Sequence, residues 1–106
     1  MELVDTIYSF VEAFPNTEKY GLRSQITKSA VSIPSNIAEG ASRNSKKDFA
    51  RFLEIALGSA FGLETQLITA EIRNYISTTH VEESILKFNE FTEKNKRTKK
   101  KNYKLK

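Results

Sequence analysis

The chain has 106 residues, 39% hydrophobic and 28% charged, with a formal net charge of +4 and no cysteine. That length allows one hydrophobic core rather than two compact units, and the composition lies away from the disordered class. Zero cysteines exclude a disulfide framework, a thiolate zinc site and a cysteine nucleophile.

No apolar run approaches the roughly 18 residues of a membrane span, and the opening MELVDTIYSFVEAF lacks a signal peptide's basic flank. A soluble cytoplasmic protein without membrane contact is expected. From Met1 to Glu93 there are nine Lys/Arg against 13 Asp/Glu, whereas residues 94–106 hold eight Lys/Arg and no acid. The body is mildly acidic and the tail alone makes the protein basic.

In chain order, Leu3, Val4, Ile7, Phe10, Val11 and Phe14 recur at spacings of three and four, an amphipathic helix that Pro15 ends. Asn16 or Thr17 can cap the next helix, with Glu18 in its first turn. Leu22, Ile26, Ala30, Ile33 and Ile37 keep one phase across Pro34, which predicts a kinked helix over about Glu18 to Glu39, ended by Gly40. A break at Pro34, with Asn36 and Glu39 forming a capping box, is the competing arrangement.

Ser45 and Asp48 resemble a capping box ahead of the longest periodic segment, which runs to about Ile76. There Phe49, Phe52, Leu53, Ala56, Ala60, Leu63, Leu67 and Ala70 form one stripe. Leu57, Phe61, Ile68, Ile72 and Tyr75 form a second, about a quarter turn away. The first stripe suffices for a bundle core; the second needs another helix or a neighbouring subunit, which makes its five residues candidates for an oligomer interface. Gly58 and Gly62 lie on the remaining side, where they can permit close backbone approach or be merely tolerated.

Thr79 and Glu82 make a further capping box before Val81, Ile85, Leu86, Phe88 and Phe91, a fourth helix that fades near Lys94. The segment KNKRTKKKNYKLK has no apolar phase and dense like charge, so residues 1–93 are expected to form the domain and 94–106 a disordered basic tail. The fold class is all-α: an up-and-down four-helix bundle with a long third and a kinked second helix. A third helix of about 46 Å beside a first of about 20 Å leaves half a groove bare. Either an oligomer covers it or the natural protein begins upstream of Met1.

Catalytic candidates are few. His80, the single histidine, is expected as a solvated first-turn residue. There is no Glu-x-x-His pair for a bundle metal site, no phosphate loop and no nucleophile elbow, so neither an enzyme nor a metal or other cofactor is expected. Glu64 and Glu71 project between the two stripes and call for cationic partners on the second helix or another subunit, as a structural ion pair that fixes register. Arg43, Lys46, Lys47 and Arg51 gather at the corner before the third helix, where free amides also favour a phosphate. Lys19, Arg23 and Lys28 form a second strip, and Lys99, Lys100 and Lys101 lie in the tail. These ten are the candidates for contact with RNA or DNA backbone; ordinary solvated surface is the alternative.

The stretch from Phe14 to Leu67 contains, in order, FP-x-x-EKYGL, SQI, AVSIPSNIAEG, RFL-x-IA-x-GS and LETQL. It resembles the four-helix-bundle proteins encoded within intervening sequences of bacterial 23S ribosomal RNA genes. The match covers about half the chain without gaps. The resemblance implies an up-and-down bundle, a ring-shaped homopentamer, and distant kinship with the accessory variability protein of diversity-generating retroelements, which is thought to engage a reverse transcriptase and nucleic acid. Three features depart from the family habit. The family has a longer first helix with an aromatic-rich opening before the segment that begins here; Gly62 replaces a polar or acidic residue before LETQL and Arg73-Asn74 stands where Leu-Gly is common; and the fourth helix ends poorer in leucine and more basic. The expectation is a non-enzymatic, homo-oligomeric bundle that binds nucleic acid, with or without a protein partner; the alternative is a protein-interaction scaffold with incidental basic residues.

Overall fold

The computed structural model describes residues 2–18 and 20–104, with side chains through Glu93. Four helices, α1 (Glu2–Val11), α2 (Leu22–Ala41), α3 (Lys46–Ile72) and α4 (Thr78–Lys104), follow one another through short connections, with a 3₁₀ turn at Asn16–Glu18. No strand occurs among the described residues. Helices in contact are α1 with α2, α2 with α3, α3 with α4, and α4 with α1, with no diagonal pair among the described residues. This is the expected up-and-down bundle, and the α1–α2 flank lies opposite the α3–α4 flank.

The core takes one stripe from each helix: Leu3, Ile7 and Phe10 from α1, Ile26, Ala30 and Ile33 from α2, Ala60, Leu63, Leu67 and Ala70 from α3, and Val81 from α4. Leu3, Ile7, Val11, Ile26 and Ile33 are the largest fully buried side chains. Each contributes about 1.5–3 kcal/mol by leaving water.

Helix ends follow local chemistry and correct several expected boundaries. The second helix starts at Leu22, four residues later than expected, and Glu18 serves it from outside by accepting the Leu22 amide at 3.2 Å. It runs through Pro34 as one helix, as expected, so the competing break there does not occur; it also passes Gly40 to Ala41, so the expected glycine terminus does not. Gly40 is buried against α3 instead. Ser45 caps α3 as expected, its hydroxyl accepting the Asp48 amide at 3.1 Å. The apolar phase of α4 fades where expected, yet its backbone stays helical to Lys104 rather than ending near Lys94. Residues 94–104 contain no Gly or Pro, and Lys and Arg are good helix formers.

The corner after α3 accounts for one departure from the family habit. Asn74 has φ of 63°. The Tyr75 amide donates to the Ala70 carbonyl and the Asn74 amide to that of Glu71, both at 2.9 Å. This is a Schellman ending, in which asparagine is the usual second choice to glycine. Asn74→Gly is expected to be neutral or to stabilise by a few tenths of a kcal/mol, and Asn74→Val, β-branched in the left-handed region, to cost about 1–2 kcal/mol. Urea-unfolding midpoints of the two variants check this.

The fourth helix is capped by Ser77 rather than Thr79. The Ser77 hydroxyl accepts the His80 amide at 3.3 Å, and His80 Nδ1 accepts the Ser77 amide at 3.2 Å, a reciprocal box with histidine where Glu or Gln commonly stands. The ring also stacks on Phe10, centroids 4.3 Å apart, and so ties α4 to α1. His80 is half-buried, not the solvated residue expected. His80→Ala removes both contacts and is expected to cost about 1–2 kcal/mol in thermal or urea unfolding. His80→Gln, which keeps a cap acceptor, should recover only the capping share.

Candidate functional site

Two regions stand out: an apolar flank and a basic end. The second stripe of α3 faces outward beside α4. Leu57, Phe61, Ile68 and Ile72 are 42–73% exposed. Tyr75, the fifth expected interface residue, is half-buried instead, its ring 5.3 Å from Phe14 and its hydroxyl accepting from Arg73 Nε at 3.1 Å. The hydrogen bond and electrostatics of Tyr75, with a smaller contribution from the Glu18 carboxylate, hold the Arg73 guanidinium above its ordinary pKa.

Between α3 and α4 runs a groove of about 140 Å³, floored by Ala60, Leu63 and Leu67 and walled by Leu57, Phe61, Ile85 and Phe88. Ile85, one of the apolar residues that mark the fourth helix, is 42% exposed on the groove wall, where α3 and α4 do not close over it. Glu64 also lines the groove and is exposed; Glu71, nearer the end of α3, is half-buried. Neither pairs with a cation among the described residues, so the expected ion pair with the second helix does not form there.

The basic candidates fall into separate groups. Arg43, Lys46, Lys47 and Arg51 are all exposed at the corner of α2 and α3. Arg43 is engaged within the chain, 2.6 Å from Glu39 and 5.3 Å above the Phe52 ring. The first turn of α3 carries its own acid, Asp48, and its own cap, Ser45. Attraction of an anion at this end therefore comes from the side chains more than from free amides. Lys28 lies 13 residues before the end of α2, about 20 Å away along the axis, and half-buried Arg23 lies farther still. Lys19 lies outside the described residues, as do the side chains of Lys99, Lys100 and Lys101.

Helix α4 runs antiparallel to α3, so residues 94–104 head towards the end where Lys46, Lys47 and Arg51 stand. The molecule is 49 Å long, several times the Debye length of about 8 Å at physiological salt. Charges at this end act independently of those at the other.

With this arrangement, the sequence profile of the 23S rRNA-intervening sequence proteins matches residues 1–97. The chain belongs to that family. The match takes in all of α1, α2 and α3 and most of α4, including the apolar flank and the basic corner. No curated protein matches the chain. No helix among the described residues is long and apolar enough to cross a membrane.

Proposed function

We propose that this member of the family is a non-enzymatic, cytoplasmic, homo-oligomeric bundle that binds the phosphate backbone of RNA or DNA. The observation that carries the proposal is charge placement: Lys46, Lys47 and Arg51 are exposed at the end towards which α4 leads a segment with eight Lys/Arg and no acid. Such contacts attract phosphates through counterion release and read no sequence. Repetition around an assembly, pentameric by the resemblance above, sums them into a continuous positive collar.

Fluorescence anisotropy of the full chain with a labelled single-stranded RNA and a DNA duplex, at rising salt, tests the proposal. Micromolar or tighter binding at low salt that falls steeply with added salt is expected. Absence of binding at low salt, or an affinity that salt does not move, overturns it. In that event the exposed apolar flank favours the second reading, a protein-interaction scaffold whose lysines serve solubility.

A further inference from the structure

The end of α4 carries a pattern that positive charge alone does not require. Residues 94–104 hold seven Lys/Arg and no acid, and their backbone is helical to Lys104. On that helix the line that meets the core, Ser84, Phe88 and Phe91, continues at the same alternating spacing of four and three through Asn95, Thr98 and Asn102, all uncharged. At about 100° per residue, Lys94, Lys96, Arg97, Lys100, Lys101 and Lys104 occupy positions within an arc of about 160° on the far side of the helix from that line. They fall in two rows at spacings of four, one of Lys96, Lys100 and Lys104 and the other of Arg97 and Lys101, with Lys94 three residues before the second. A tail that acted by counterion release alone would need no such division into faces.

The segment also has a fixed place. Helix α4 is antiparallel to α3, so its basic face lies at the end where Lys47 and Arg51 stand exposed.

We propose that residues 94–104 seat as a helix in the major groove of duplex DNA, with the two basic rows on the phosphates of the two groove walls and Lys47 and Arg51 on the backbone beside it. This rests on the nucleic-acid reading above and specifies its ligand. An α-helix with side chains is about 10–12 Å across and the B-form major groove about 12 Å wide, so the groove admits it. The deep, narrow major groove of an RNA duplex does not. A single strand offers one line of phosphates for two rows of cations, and apart from Tyr103 the segment has no aromatic ring on which bases could stack. All of its cations but Arg97 are lysines, point charges suited to phosphates rather than to the edges of bases, so the site takes duplexes of any sequence.

Fluorescence anisotropy of the full chain with a mixed-sequence DNA duplex, the RNA duplex of corresponding sequence and the single DNA strand, at one salt concentration, tests this. The DNA duplex is expected to bind at least about 10-fold more tightly than either alternative. Thr98→Pro keeps every charge but removes the amide that bonds the Lys94 carbonyl, and so breaks the helix there. Thr98 lies beyond Phe91, the last α4 side chain packed on the core, so the urea midpoint should hold while far-UV circular dichroism loses helix. This variant should bind the DNA duplex at least about 10-fold more weakly than the native chain and the single strand as before, whereas Thr98→Ala should match the native chain throughout. No binding to any of the three overturns the nucleic-acid reading and this one together. Salt-sensitive binding in which the RNA duplex or the single strand matches or exceeds the DNA duplex overturns the groove-seated helix alone. So does a Thr98→Pro chain that holds the DNA duplex as tightly as the native chain, or that loses duplex and strand alike.

Discussion

Gly40→Val is expected to lower the stability of the bundle by about 3 kcal/mol or more, and Gly40→Ala by about 1–3 kcal/mol, each read as a fall in the urea midpoint. A Cβ at Gly40 would stand 2.8 Å from Phe52 Cβ and 3.4 Å from both the Phe49 ring and the Phe49 carbonyl oxygen. A Cβ and a carbonyl oxygen move only with the backbone, so α2 and α3 must separate. That separation would strain the 2.8 Å Ser32–Ser59 hydrogen bond and loosen Ala30, which is fully buried. Helix propensity works the other way, since alanine gains about 1 kcal/mol over glycine in a helix, but that gain is smaller than the overpacking cost.

The same substitution should have the opposite sign at Gly58 and Gly62, where a Cβ would meet nothing within 4 Å. In the unassembled chain only the propensity gain of about 1 kcal/mol remains at each. Three glycines on two adjacent helices thus have different roles, which spacing alone does not distinguish. Gly40 ended the second helix when read from the sequence; in the fold it lies inside the helix as a contact surface.

Periodicity is informative about faces and weaker about neighbours. The first stripe of α3 was legible by its single phase: Ala56, Ala60, Leu63, Leu67 and Ala70 are buried, while Phe49, Phe52 and Leu53 at its start are half-buried. The exposure of Leu57, Phe61, Ile68 and Ile72 was legible for the same reason, as a stripe too wide for one core. Ile85 and Tyr75 were not, because their burial depends on how closely α3 and α4 approach and on which side chains meet across the corner. His80 was misplaced for a similar reason: its partners are the Ser77 amide and Phe10, the latter 70 residues away. Asn74 was visible as a departure from a Leu-Gly habit, and its positive φ gives the physical cause. Of the candidate site, the division of the basic residues was legible, since the sequence already sets Arg23 and Lys28 in a strip apart from the corner; their distance from it comes only with α2 as one helix of 20 residues.

In nucleic-acid binding, the triple variant Lys46→Ala/Lys47→Ala/Arg51→Ala is expected to flatten the slope of log affinity against log salt by about 2–3 units. Each phosphate contact contributes about 0.9 unit on duplex DNA and about 0.7 on a single strand. A chain making six to ten contacts in all would lose about 10³–10⁵-fold in affinity between about 50 and 200 mM salt, so a change of that size in slope is readily measured. Arg43 is left intact in this variant because its guanidinium is already shared between Glu39 and the Phe52 ring. Lys28→Ala provides the contrast: it lies about 20 Å from the corner, beyond two Debye lengths, and should leave the slope unmoved. An equal effect from Lys28 and from each corner residue would mean diffuse attraction to the whole surface. A slope unmoved by the triple variant would exclude Lys46, Lys47 and Arg51 as the contact and leave Arg43 and the eight Lys/Arg of residues 94–106 as candidates.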